Sequence, residues 1–212
     1  MRRRVLVLYG STYGHTERIA RRVADGLAAA GEDVTLLAAD ASAPEMSPRD
    51  YDGVVIGASL IAGRHQRTVR TFVRRHHAVL NEVPSAFFSV SASAASHDER
   101  GRSEARACLT RFLRETDWYP ALTETVAGAI RYTRYNPLVR WWMRRICVKA
   151  GGPTDTSRDH ELTDWAQVDR FAAAFAGLLD RTMVRDPLAE RPPRREARRR
   201  AGAAQSRIAG HI

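Results

Sequence analysis

The sequence predicts an α/β fold, a doubly wound parallel sheet covered by helices on both faces. Three observations carry that expectation: short apolar runs rich in β-branched residues recur along the chain, amphipathic helical stretches stand between them, and the order is strand then helix each time. The 212 residues, 44% of them hydrophobic, suffice for one such domain with some surplus.

Each element has its own signal. The run 5–9 (VLVLY) is apolar throughout, as a strand buried on both faces must be. Residues 16–30 show helical periodicity through Ile19, Val23, Leu27 and Ala30, and Gly31 stands where a C-terminal cap belongs. A second strand is expected at 34–38 and a third at 53–57 (GVVIG), followed by a helix over 66–80 whose end carries His76 and His77. The fourth strand is 86–90 (AFFSV), with a helix over 99–115. The fifth is 125–130, and 164–179 is a closing helix with Trp165, Val168, Phe171, Phe175 and Leu178 on one face. Ligands of such sheets bind beyond the carboxyl ends of the strands where the strand order reverses, so the loops after strands one, three and four converge.

The first of these loops is chemically distinctive. In "YGSTYGHTERIA" the hydroxyls of Ser11, Thr12 and Thr16 stand at a helix N-terminus, and Gly14 permits a tight turn that exposes backbone N–H groups. An anion such as phosphate suits that geometry, and helix capping by Ser11 or Thr12 is the competing account. No Gly-Lys-Ser/Thr follows and no G-x-G-x-x-G is present, so neither a Walker A loop nor a dinucleotide fingerprint is indicated. With no lysine or arginine in the loop, neutral donors would hold the phosphate, which suits a tightly kept prosthetic group.

"LYGSTYGHTERIA" resembles the FMN-phosphate loop of the flavodoxin family, with the match on Thr12, Gly14 and Thr16, Ser11 opening it, and Tyr13 and His15 standing where threonine and asparagine are usual. Within that family the chain more closely resembles the menaquinone-dependent protoporphyrinogen IX dehydrogenases, through "YDGVVIGASLIAGRHQ", "FVRRHHAVLNEVPSAFFSV", "VAGAIRYTRY" and "GGPTDTSRDHELTDWAQV" in collinear order over about 1–180. The resemblance implies a flavodoxin-like five-stranded parallel sheet, order 2-1-3-4-5, with a long insertion after strand five. It also implies FMN as cofactor, protoporphyrinogen IX as substrate and menaquinone as acceptor. The implied FMN contacts are Ser11, Thr12, Tyr13, Gly14, His15 and Thr16 for the phosphate. For the ring they are Ser59, Leu60, Ile61, Ala62 and Gly63 in one loop and Ser91, Ala92 and Ser93 in the next. Gly63 would allow close backbone approach to the ring. Ala62 stands where the subgroup has tyrosine, which leaves Tyr13 or His65 to stack on the ring.

Charge separates the chain into a nearly neutral body and two basic segments. Six basic residues and no acid lie within 131–150, and nine arginines against three acids lie within 181–212; together they exceed the net +10, leaving the remainder slightly acidic. The segment 131–156 is expected to be a cationic amphipathic insertion. On a helix opened by Pro137, residues Leu138, Val139, Trp142, Met143 and Ile146 share a face opposite Arg140 and Arg144, with Trp141 among the arginines. Packing on the domain and resting on an anionic membrane surface through 131–150 both fit that pattern. Arg131 and Arg134 are the candidates for the substrate's propionates, because guanidinium pairs bidentately with carboxylate.

The tail 181–212 is rich in Arg, Ala and Pro and is expected to be disordered, with no specific nucleic-acid partner. Cys108 and Cys147 have no metal or disulfide spacing, and no apolar run approaches the roughly 20 residues of a membrane span. These features fit a cytoplasmic protein, peripheral on the inner face of the cell membrane. No catalytic side-chain constellation and no metal cluster is visible, so the redox chemistry would belong to the cofactor. A flavodoxin-like electron carrier or quinone reductase without porphyrin activity, and a binding module that has lost the flavin, are the rival functions.

Overall fold

The apolar runs become strands because alternate residues of each are needed on both sides of the sheet. The computed structural model describes residues 2–40, 46–96, 98–149 and 151–185. In it, β1 (Arg4–Gly10), β2 (Asp33–Ala38), β3 (Gly53–Ile61), the short β4 (Arg64–His65), β5 (Ser85–Ser91) and β6 (Leu122–Ala127) form one sheet. Its parallel path runs β2-β1-β3-β5-β6, with β4 turned back antiparallel on β3. The five long strands therefore follow the predicted order 2-1-3-4-5.

Helices α1 (His15–Ala29) and α5 (Trp165–Arg185) cover one face, and α2 (Arg67–Glu82) and α3 (Glu99–Thr116) the other. Val5, Val7, Val55 and Phe88 pack toward Ile19, Val23, Leu27, Phe171 and Phe175. Their neighbours Leu6, Leu8, Val54, Ile56 and Phe87 pack toward Val69, Phe72, Phe112 and Trp118. Full burial of each large apolar side chain stabilises the fold by roughly 1.5–3 kcal/mol. The strand period of two thus explains why the runs read as continuously apolar. At Gly57 a Cβ would lie 2.0 Å from Phe88 Cζ, so glycine lets that ring lie across β3.

Several boundaries differ from expectation, and β3 runs on to Ile61 instead of ending at 57. The fifth strand spans Leu122–Ala127, and residues expected to continue it form a separate β7 (Ala129–Ile130), paired antiparallel with β8 (His160–Glu161). Gly128 makes the break: its N–H donates to Ser91 O at 3.0 Å and its carbonyl accepts from Leu162 N at 3.0 Å, so the chain leaves the sheet there. The closing helix continues to Arg185, so the first residues assigned to a disordered tail are helical; 186–212 lie outside the described residues. His76 and His77 lie inside α2, which runs on to Glu82 because Leu80 still has a core site to fill.

Between β7 and β8 lies the excursion that the charge pattern singled out. A 3-10 turn over Tyr132–Arg134 leads to α4 (Pro137–Lys149). Pro137 opens that helix as expected, and Asn136 Oδ1 caps it by accepting from Val139 N at 2.8 Å. The buried face differs from the predicted one. Val139, Met143 and Cys147, at successive i+4 positions, pack on Ile130, Tyr132 and Tyr135, whereas Leu138, Trp142 and Ile146 are exposed. The i+4 stripe fills the small core available, and the apolar arc is wider than that core can cover. Among the described residues no helix is long and apolar enough to cross a membrane.

Candidate functional site

Strand order reverses beside β1, with β2 on one side and β3 on the other, and the loops after β1, β3 and β5 open at the same edge. After β1 the chain turns at Gly14 in the left-handed region (φ 83°, ψ −5°), which starts α1 with no side-chain cap. Ser11 does not cap the helix. Its Oγ accepts from Gly14 N at 3.0 Å, closing the turn on itself. The first N–H groups of α1 therefore have neither a helical partner nor a capping side chain, which is the arrangement that receives an anion. Thr12 is exposed at the rim, Tyr13 is half-buried, and His15 and Thr16 are buried in the first turn.

His15 is held from a distance in sequence. Thr163 Oγ1 lies 2.7 Å from Ala127 O and donates to it, so at 2.7 Å from His15 Nε2 it must accept, which places the proton of His15 on Nε2. Nδ1 is a buried acceptor without a hydrogen-bond partner among the described residues. Burial pushes the His15 pKa down to about 4.

The second loop is a two-residue hairpin. Leu60 pairs with His65 and Ile61 with Arg64, and Ala62 (φ 48°) and Gly63 (φ 73°) form the turn between them. Positive φ at both central residues marks the turn type that fits twisted strands. Gly63 is suited to this conformation, and a Cβ there would meet no protein atom within 4 Å, so the side of the turn it faces is open. Ala62 holds the same left-handed region with a side chain. Ala62→Gly should therefore raise stability by about 1 kcal/mol, read as a higher urea midpoint at unchanged slope. A lower midpoint would mean that the Ala62 methyl makes a contact worth more than the strain.

Ser59 and Thr12 are tied together by a residue that sequence reasoning treated only as a helix start. Gln66 Nε2 donates to Thr12 Oγ1 at 3.2 Å and to Ser59 Oγ, joining the first two loops. Its Oε1 is buried without a partner among the described residues and lies 3.0 Å from where a Cβ on Gly10 would stand. The signal available was its place one residue before α2, at the mouth of the third strand's loop. In the third loop Ser91 is buried, and its Oγ accepts from Ala94 N at 3.2 Å and Ser93 Oγ at 3.1 Å; Ala92 packs against the excursion core.

His65 is not available to stack on a ring in these loops. Its Nε2 lies 2.8 Å from Ser89 Oγ, its ring meets Phe112 and Phe87 edge-on at 4.8 and 5.4 Å, and desolvation pushes its pKa down to about 4. It lines a cavity of about 180 Å³ beneath α3, together with Arg70, Cys108 and Phe112. Tyr13 meets Tyr135 edge-on, with ring centroids 4.9 Å apart, which ties the first loop to the excursion.

The two arginines assigned to propionates have different surroundings. Arg131 is largely buried, with its Nη1 paired to Asp159 at 3.3 Å and its Nε without a hydrogen-bond partner among the described residues. Asp159 also accepts from Thr133 N at 3.0 Å and Thr133 Oγ1 at 2.8 Å; burial opposes the charge, but these donors and Arg131 hold the carboxyl below its ordinary pKa. Arg134 is exposed, and its Nη1 lies 3.7 Å from where a Cβ on Gly14 would stand.

A family model described as Flavodoxin domain matches residues 6–157. A protoporphyrinogen IX dehydrogenase [quinone] from Leishmania major is 36% identical over 91% of this chain and 79% of its own length. The protein of the same name from Escherichia coli strain K12 is 33% identical over 86% of this chain and 99% of its own. Rubredoxin oxygen:oxidoreductase from Desulfovibrio gigas superposes with a TM-score of 0.52 at 15% identity, covering 85% of this chain and 37% of that one, a likeness of fold alone.

Proposed function

The chain belongs to the flavodoxin family, and on that premise we propose that it is an FMN-dependent oxidoreductase that oxidises protoporphyrinogen IX to protoporphyrin IX and passes the electrons to a quinone. The observation that carries this reading is the match to two dehydrogenases of that name over about nine-tenths of the chain, a span that includes the excursion between β7 and β8 as well as the sheet.

The residues present fit FMN. An uncapped helix start, a left-handed glycine and the hydroxyls of Ser11, Thr12 and Thr16 suit its phosphate, while Ser59 to Gly63 and Ser91 to Ser93 border the place of its ring. When bound, FMN supplies the two-electron chemistry. The protein's part is positional. Gln66 fixes the first two loops relative to each other, and Tyr13 and Ala92 seat the excursion core against the first and third. Conversion of the porphyrinogen to the porphyrin releases six electrons and six protons, so three quinones are reduced to quinols per porphyrin.

In this reading the quinone is menaquinone, the pathway is haem biosynthesis, and the protein works at a membrane surface. The exposed side of α4 supports the last point, because Leu138, Trp141, Trp142, Ile146 and Val148 face solvent beside Arg144 and Arg145. Anaerobic stopped-flow absorbance tests the reading. Protoporphyrinogen IX should bleach the flavin of the FMN-loaded protein, and a menaquinone analogue should restore its colour. Rapid bleaching by NAD(P)H with none by protoporphyrinogen would make the protein a quinone reductase instead.

A further inference from the structure

The phosphate loop contains no cation of its own, yet the structure brings one to it from more than a hundred residues away. Arg134 ends the 3-10 turn Tyr132–Arg134, and its Nη1 stands beside Gly14, at the open start of α1. Its guanidinium makes no hydrogen bond or ion pair among the described residues, whereas the neighbouring cation Arg18 is paired with Glu161 at 2.7 Å. The turn that presents it is held firmly. Asp159 anchors Thr133 on one side of Arg134, and Tyr135 on the other packs edge-on against Tyr13 of the loop itself.

We propose that Arg134 is a cofactor-phosphate ligand, so that the excursion completes the FMN site that the loop begins. The proposal rests on the FMN reading above and reassigns Arg134 from substrate to cofactor. A phosphate monoester carries close to two negative charges at neutral pH, and neutral hydroxyls and N–H groups leave that charge uncompensated. A guanidinium beside the helix start adds charge-assisted hydrogen bonds to the phosphate oxygens. It also makes the excursion, and anything that docks on α4, sensitive to whether the cofactor is present.

The test is a fluorescence titration of the apoprotein with FMN and with riboflavin, which lacks the phosphate. Arg134→Gln should weaken FMN binding about tenfold or more and leave riboflavin binding unchanged, as loss of one charge-assisted contact predicts. Arg134→Lys should recover part of the loss, because it restores a charge without the planar fork. Raising the salt concentration should narrow the gap between wild type and Arg134→Gln. Equal weakening of both ligands would show that Arg134 supports the loop only by packing and would overturn the proposal. Unchanged FMN affinity with a raised KM for protoporphyrinogen would overturn it in favour of a substrate role. A wild-type apoprotein that binds neither ligand would remove the FMN reading and this proposal with it.

Discussion

Urea unfolding should show stability falling by several kcal/mol as pH drops from 7 toward 4, with close to two protons taken up on unfolding. The source is the pair of buried neutral histidines. His15 and His65 each have a folded-state pKa of about 4, lowered chiefly by burial, with Arg131 and Arg18 adding to the effect at His15, where Glu161 opposes it, and Arg70 adding to it at His65. An unfolded histidine titrates near 6.5, so above that pH both states are neutral and nothing is lost. Below it the unfolded chain binds protons that the folded chain refuses until pH approaches 4. The cost by then is on the order of 3 kcal/mol for each histidine. His65→Gln can still hydrogen-bond Ser89 without titrating, so it should remove about half the slope. A wild-type profile flat between pH 7 and 4.5, or an identical slope in His65→Gln, would show that these rings are open to water. The carboxylate of Asp159 adds a separate loss at lower pH, because its lowered pKa makes its contribution present above the ordinary carboxylate range and lost as pH falls through the folded value.

The order and identity of the sheet elements were legible because both depend on local pattern. A strand buried on both faces must be apolar at every position, and Val5 to Leu8 shows this plainly. The turn after β1 was legible for a related reason, since its hydroxyls and Gly14 are contiguous. What the sequence hid are the contacts that cross it. Gln66 reaches Thr12 across 54 positions and Thr163 reaches His15 across 148, and neither residue type is distinctive alone. The ion pair of Arg131 was hidden because nothing local announces that Asp159 will return to meet it. The buried face of α4 was misread for a different reason: eight apolar residues spread around a helix leave the wheel ambiguous, and only the shape of the small core around Tyr132 and Tyr135 chooses Val139, Met143 and Cys147. That choice leaves Trp141 and Trp142 outside, exposed to solvent.

Removing the exposed aromatic and basic groups of α4 should detach the protein from anionic vesicles while leaving FMN binding intact. Trp141 is 59% exposed and Trp142 47%, with the Arg145 guanidinium over the Trp141 ring at 5.8 Å, a pairing of amphipathic ring and cation suited to the headgroup layer. Each basic residue near an anionic leaflet is worth about 1 kcal/mol, so Arg144→Gln with Arg145→Gln should weaken binding roughly thirtyfold at low salt and less at high salt. Trp141→Ser with Trp142→Ser should weaken it through lost apolar burial, by an amount that salt does not change. Arg140 is left in place because its Nη2 donates to Tyr135 O at 3.2 Å and its loss would disturb the excursion core. Co-sedimentation with phosphatidylglycerol and phosphatidylcholine vesicles reads both effects, and turnover with vesicle-embedded menaquinone should fall in step while turnover with a water-soluble quinone does not. A chain lacking 186–212 is the necessary control, because that segment carries its own arginines. Should the shortened chain lose vesicle binding while the α4 variants keep it, the tail would be the anchor, and the exposed face of α4 would have to serve a protein partner rather than a lipid surface.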